Sequence, residues 1–231
     1  AAILASANPV ELKPQCDLPV TNARGFPYDS RCHGFGFMDS HLTRTALNRY
    51  NYIDATPDVE MHQIMAGSEV GNRATFEVTQ DMITGSVLGE ITVTRPPSDT
   101  FDYFFMRGVE ITSPSGTKYV MGLHNSFRRS PDGQMKLFFR TPGFLGEDAV
   151  GTWTVEVNHS AKILDSEMVV YGSNRGGMTD RMLGFVRNWR NNHDEDARRD
   201  AIYSRRAIWS GVTYSEQTPQ TDRPLYREVT P

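Results

Sequence analysis

The sequence predicts a mostly β protein: an antiparallel β-sandwich or jelly roll over residues 74–172, with helical segments before and after it. Three observations lead there. Apolar and polar residues alternate with period two in several short runs, such as Thr75-Phe76-Glu77-Val78-Thr79 and Gly151-Thr152-Trp153-Thr154-Val155-Glu156-Val157. Turn-forming residues separate the runs, and β-branched and aromatic residues fill them. Outside this stretch the alternation gives way to helical spacing or to irregular polar sequence.

The elements follow in chain order. Ala1 to Ala7 reads as helix, stopped at Asn8-Pro9 because proline removes a donor and restricts the residue before it. A loop carrying Pro19, Asn22, Gly25 and Pro27 separates Cys16 from Cys32. Leu42, Ala46 and Leu47 fall on one helical face up to Tyr50, with Asp39 or Ser40 as N-cap. Residues 51–73 are polar and contain Pro57, Gly67 and Gly71, so they read as a linker. The strand region then runs through Thr75–Thr79, Glu90–Thr94, Phe101–Thr112, Thr117–Leu123, Met135–Arg140, Gly151–Val157 and Met168–Tyr171. Ser113-Pro114-Ser115-Gly116 is a turn, with Pro and Gly where β-turns favour them. In the sandwich Trp153, Val155 and Val157 face inward, and Thr152 and Thr154 point the other way. Residues 173–231 form a partly helical, partly extended tail, with Met178, Met182, Val186 and Trp189 as one helical stripe.

Composition narrows the class. The chain has 231 residues, 38% hydrophobic and 23% charged, which excludes a disordered tail, collagen and a pure coiled coil. No apolar run reaches the ~20 residues of a membrane span. The net charge is −4, and with a pI near 5.9 no global positive field exists to draw in nucleic acid. The opening Ala1-Ala2-Ile3-Leu4 reads as the middle of a helix, so a fragment or processed product is expected. A disulfide between Cys16 and Cys32 would close a loop of roughly 17 residues, worth about 3 kcal/mol in the chain-entropy model, and would imply an oxidising compartment. The alternative is two reduced cysteines that happen to lie close in sequence. Asn158-His159-Ser160 is the one glycosylation sequon.

Two groups of motifs point to one family. Val109-Glu110-Ile111-Thr112-Ser113-Pro114-Ser115-Gly116-Thr117 is similar to the strand, Ser-Pro-Ser-Gly-Thr turn and strand of the P (homo B) domain of kexin- and furin-like proprotein convertases. Phe144-Leu145-Gly146-Glu147, followed by Val150-Gly151-Thr152-Trp153-Thr154-Val155-Glu156-Val157, resembles its Gly-Glu and Gly-Thr-Trp-x-Leu-x-Val run. Val169-Val170-Tyr171-Gly172 resembles its closing strand. The family's Gly-x-Leu-x-x-Trp approach to that strand is missing from Ile163–Met168. Independently, Arg31-Cys32-His33-Gly34-Phe35-Gly36-Phe37-Met38-Asp39 resembles the Ser-x-x-Gly-Phe-Gly-x-x-Asp-Ala that ends a convertase catalytic domain. Ala2–Ala7 resembles the helix before it.

The resemblance implies four parts: 1–50, the C-terminal end of a subtilisin-like catalytic domain; 51–73, a linker; 74–172, a jelly-roll P domain; and 173–231, an extension. Gly34, Phe35, Gly36, Asp39, Gly116, Gly151 and Trp153 are the structural residues it singles out. It implies the upstream catalytic portion as partner, calcium in that portion, and a secretory or extracellular setting. The chain itself is expected to hold no cofactor and no metal.

A subtilisin-type protease needs a serine nucleophile, a histidine base and an orienting aspartate. His33-Gly34, Ser115-Gly116-Thr117, Asp81 and Asp54-Ala55-Thr56 all lack the flanking residues of those motifs, so no triad is expected in this chain. The six histidines form no metal-ligand spacing, and His193-Asp194-Glu195-Asp196 reads as a solvated charge run. Arg128-Arg129 and Arg205-Arg206 are dibasic pairs. The tail carries ten Arg, no Lys and eight acidic residues, read either as a salt-bridged helical face or as a docking surface for other subunits. Two functions therefore stand: the non-catalytic C-terminal part of a serine endopeptidase, or a P-domain sandwich reused as a structural or adhesion subunit.

Overall fold

The structure, a computed structural model, describes residues 20–28, 34–35, 40–50, 55–94, 108–121, 127–129, 134–157 and 161–188. The chain divides into two compact units, Ala1–Arg187 and Asn188–Pro231. The described strands all lie in the first.

Strands β1 (Val20–Thr21) and β2 (Pro27–Tyr28) form a small antiparallel hairpin. Asn22 and Phe26 close it, the Asn22 N–H donating to the Phe26 carbonyl at 3.0 Å. Gly25 supplies the left-handed φ of +88° that the turn needs. Helix α1 (Ser40–Tyr50) follows, with Ala46 fully buried.

The body is mostly β. Its strands are β3 (Glu60–Ala66), β4 (Ser68–Val70), β5 (Arg73–Val78), β6 (Ile83–Val93), β7 (Val109–Thr112), β8 (Lys118–Met121), β9 (Phe127–Arg129), β10 (Met135–Thr141), β11 (Gly151–Val157) and β12 (Ile163–Ser173). They make two five-stranded sheets, ordered β3-β12-β6-β10-β9 and β4-β5-β11-β7-β8. Every adjacent pair is antiparallel. A helix, α2, runs through 178–188.

Period-two alternation builds the core. Trp153, Val155 and Val157 of β11 turn inward, as do Ala74, Phe76 and Val78 of β5 and Met135, Leu137 and Phe139 of β10. Thr152 is exposed and Thr154 half-buried. Trp153 is 0% exposed and sits opposite Phe76 across the β5–β11 pair. Its indole N–H donates to the Ala149 carbonyl at 2.9 Å, so the one polar atom of the ring is satisfied inside the core.

Three features depart from the sequence reading. Residues 51–73 are not all linker, because β3 and β4 lie within them and the sandwich begins at Glu60 rather than at residue 74. The physical reason is position. Among the described residues β3 pairs only with β12; its exposed face mixes Glu60 and His62 with Ile64 and Ala66, and Gln63 lies on the other face, so no alternation announces it. Second, β12 begins at Ile163 instead of Met168. Leu164 is an extra residue against Val93 and Thr92, a bulge that shifts the inward phase from Ile163 to Ser166 and hides the period. A second shift leaves Gly85 unpaired between Thr84 and Ser86, and there a Cβ on Gly172 would lie 2.0 Å from the Ile83 carbonyl oxygen. Third, the stripe of α2 includes Leu183, fully buried beside Met182 and Val186. Ala1–Ala7, Phe101–Arg107, Asp39 and Trp189 lie outside the described residues.

Replacing Trp153 with Ala is expected to cost about 3–5 kcal/mol, read as a lower denaturant midpoint. Trp153→Phe, which keeps a ring in the core, should cost clearly less.

Candidate functional site

The most elaborated locus in the molecule is where the hairpin 20–28 meets the loop between β10 and β11. That loop, Pro142 to Val150, is tied down along its length. Thr84 donates to the Glu147 carbonyl at 2.8 Å, Gly146 to the Thr84 carbonyl at 2.7 Å, and Ala149 to the Met82 carbonyl at 3.1 Å. Its side chains and carbonyls are thereby held at the start of β6.

Asn22 is 3% exposed, and its amide is divided between the loop and the hairpin itself. Its Nδ2 donates to the carbonyls of Gly143 at 2.8 Å and Leu145 at 3.1 Å. Its Oδ1 accepts from Arg24 N and Phe26 N, both at 3.0 Å. Glu147, only 2% exposed, answers from the other side. Its Oε1 accepts from Ala23 N at 2.7 Å and from the Thr117 hydroxyl. The Ser113–Thr117 turn sets that hydroxyl in place through Ser113 N to Thr117 O and Gly116 N to Ser113 O, both at 2.9 Å.

An unbroken run of edge-to-face aromatic pairs accompanies these bonds. Phe35 meets Tyr28 at 4.9 Å, Tyr28 meets Tyr119 at 5.1 Å, Tyr119 meets Phe144 at 4.9 Å, and Phe144 meets Trp153 at 4.9 Å. Each such pair contributes about 0.5–1.5 kcal/mol beyond its buried area. Gly143 makes the run possible, since a Cβ there would lie 2.7 Å from the rings of both Tyr119 and Tyr28. The Tyr119 hydroxyl lies 3.2 Å from the Gly143 carbonyl and 3.3 Å from that of Val20. Burial raises its pKa above the ordinary 10.0, and the neighbouring Glu147 and Tyr28 push it the same way.

The residues singled out in the sequence fall around this locus. Phe35 is 5% exposed and begins the aromatic run, Trp153 ends it, and Gly34 precedes it at φ +60°. Gly116 takes φ +82° in the turn that presents Thr117. Gly151 takes φ +121°, with Pro114 3.0 Å from where its Cβ would be. Gly36, Asp39, Cys16, Cys32 and Asn158 lie outside the described residues. Asn22, Tyr28, Thr117, Tyr119 and Gly143 were not singled out. The one local signal for Asn22 was its place ahead of Gly25 and Pro27 in a turn. Arg128-Arg129 lies on the edge strand β9, and Arg181 and Arg187 are exposed on α2. The other clustered arginines of the tail lie outside the described residues.

The Glu147 carboxylate, the Thr117 hydroxyl and the Asn22 amide receive backbone groups, which is the chemistry of holding a peptide segment. Among the described residues no group of three metal-capable side chains occurs, and no helix is long and apolar enough to cross a membrane.

The loop, the turn, Tyr119 and Trp153 all belong to one stretch of sequence. That stretch, residues 106–169, matches the proprotein convertase P-domain. The P-domain match starts just before β7 and ends within β12, so β3–β6 precede it and α2 follows it. No curated protein sequence matches the chain. Among solved structures the chain is similar to one in the crystal structure of the Aeromonas sobria serine protease and chaperone complex, with a TM-score of 0.50 and 18% identity over 75% of this chain and 39% of that one. A crystal structure of the Aeromonas sobria serine protease gives a TM-score of 0.49 at 18% identity, over 74% and 39%. The first likeness is one of fold, and the chain spans 39% of the length of both proteins.

Two outcomes follow for the P-domain locus. Asn22→Ala leaves the Leu145 carbonyl without its donor and the Arg24 and Phe26 N–H groups without their acceptor, and should lower stability by about 2–4 kcal/mol, seen as a fall in denaturant midpoint at unchanged slope. Tyr119 holds its proton more tightly when folded than when unfolded. Its contribution is therefore complete below about pH 10 and is lost as pH rises beyond that. Melting temperature should fall across this alkaline range, and Tyr119→Phe should flatten the fall.

Proposed function

We propose that the chain is the C-terminal portion of a secreted subtilisin/kexin-like serine endopeptidase, in which a jelly-roll P domain stabilises the catalytic domain by gripping its C-terminal end. One observation carries this reading. The P-domain match supplies the loop, turn and aromatic rings that hold residues 20–28 and Phe35, and these lie in the segment resembling the end of a convertase catalytic domain. A grip of this kind ties the stability of the upstream portion to the sandwich through Asn22, Glu147 and the Phe35–Trp153 aromatic run.

The strand order supports the jelly-roll form. With β3, β5, β6, β7, β8, β10, β11 and β12 taken as eight successive strands, the two sheets read first-eighth-third-sixth and second-seventh-fourth-fifth, the alternation two interleaved Greek keys produce. The Cys16–Cys32 disulfide belongs to this reading, closing the loop that carries the hairpin. Calcium, if the enzyme uses it, is assigned to the upstream portion. The nucleophile and its base are assigned there as well, because this chain carries none of the three triad motifs.

The test compares this chain with the same chain joined to its upstream sequence, both purified with calcium and assayed on a fluorogenic peptide ending in Arg-Arg. The longer protein should turn over and this chain should not. Asn22→Ala in the longer protein should reduce the yield of active enzyme about tenfold, a loss of roughly 1.4 kcal/mol, with KM unchanged for the enzyme that remains. An inert longer protein that folds normally would favour the structural or adhesion subunit instead. Mass measurement before and after reduction tests the disulfide: a gain of about 2 Da on reduction is expected for one bridge.

A further inference from the structure

We propose that α2 is a clasp: although it lies beyond the P-domain match, it holds the hairpin 20–28 against the sandwich, so that attachment of the N-terminal segment depends on residues 174–187. The inference does not rest on the protease reading and holds whatever the upstream portion does.

The start of α2 is built by a segment far away in sequence. Met178 N donates to the Thr56 carbonyl at 3.0 Å, and the Asp58 carboxylate accepts from Thr179 N at 2.9 Å and from the Thr179 hydroxyl at 2.6 Å. Val59 N donates to the Asn174 side chain at 2.7 Å. Asp58 thus caps the helix from the stretch that leads into β3, and a carboxylate is favoured at that end of a helix. Met182, Leu183 and Val186 bury the inner face.

From this anchored position α2 reaches the hairpin twice. Asp180 accepts from Gly176 N at 2.9 Å through Oδ2 and pairs with Arg24 through Oδ1. The Arg187 stem lies 3.5 Å from where a Cβ on Gly25 would be. Between the two, Gly146 leaves room for both neighbours. It holds φ +81°, and a Cβ on it would lie 2.9 Å from Leu183 Cδ1 and 3.0 Å from Arg24 Cγ. Helix, hairpin and P-domain loop therefore converge on one glycine. A hairpin with two-residue strands does not persist unsupported, and α2 supplies one of the two sides that support it.

The test is hydrogen exchange on the full 231-residue chain with Asp180→Asn, Leu183→Ala and, as control, Arg181→Ala on the exposed face of the same helix. Asp180→Asn and Leu183→Ala should speed exchange at Ala23, Gly25 and Phe26 by about tenfold or more, leaving the amides of β5 and β11 unchanged. Arg181→Ala should leave both sets unchanged. Unaltered exchange at 20–28 would overturn the proposal, as would equal acceleration in β11, which would make α2 ordinary core. If Leu183→Ala does not fold, Asp180→Asn alone decides, since its ion pair with Arg24 is partly exposed and its loss spares the core.

Discussion

The hairpin at residues 20–28 is attached through backbone groups wholly or partly withdrawn from water, and Asn22 and Glu147 are what make that burial tolerable. A buried N–H or C=O without a partner costs as much as a lost hydrogen bond. Here the N–H groups of Ala23, Arg24 and Phe26 and the carbonyls of Gly143 and Leu145 all find partners in those two side chains. An apolar residue in place of Asn22 would fill the space and still leave the Leu145 carbonyl and the Arg24 and Phe26 N–H groups stranded. Packing alone does not specify this junction. The polar pairing sets the hairpin's register, and the aromatic run from Phe35 to Trp153 then adds area.

Much of the sandwich was legible in the sequence because its inner strands obey a simple rule. β5, β10 and β11 alternate with period two and bury every second residue, and the helical spacing before Tyr50 corresponds to α1. What escaped did so for physical reasons. β3 is an edge strand whose outward face carries Ile64 and Ala66 and whose inward face carries Gln63, so no alternation marks it. β12 carries a bulge at Leu164, so its inward residues fall out of phase and look irregular. β4 is three residues long.

The locus around Glu147 was only half visible. The Phe144-Leu145-Gly146-Glu147 run and the Ser-Pro-Ser-Gly-Thr turn stood out as motifs, yet nothing local says that the turn's Thr117 and the loop's Glu147 meet over the N–H of Ala23. That meeting is made by the β7–β8 hairpin and the β10–β11 loop arriving at one end of the sandwich. Gly143 is similarly opaque: after a proline it reads as an ordinary turn glycine, and only the two tyrosine rings packed over it show why a side chain has no place there.

The pairing of β3 with β12 has a consequence for how the chain is made. The first strand of the sandwich finds its neighbour only in the last, and the carbonyls that receive Asn22 lie 121 and 123 residues further along the chain. As the polypeptide emerges from the ribosome, β3 must therefore wait until synthesis has passed Ser173, and the hairpin until it has passed Leu145 and then α2. Contacts of such long range are slow to form and leave sticky edges open in the meantime. Both segments are thus joined to their partners well after they are made.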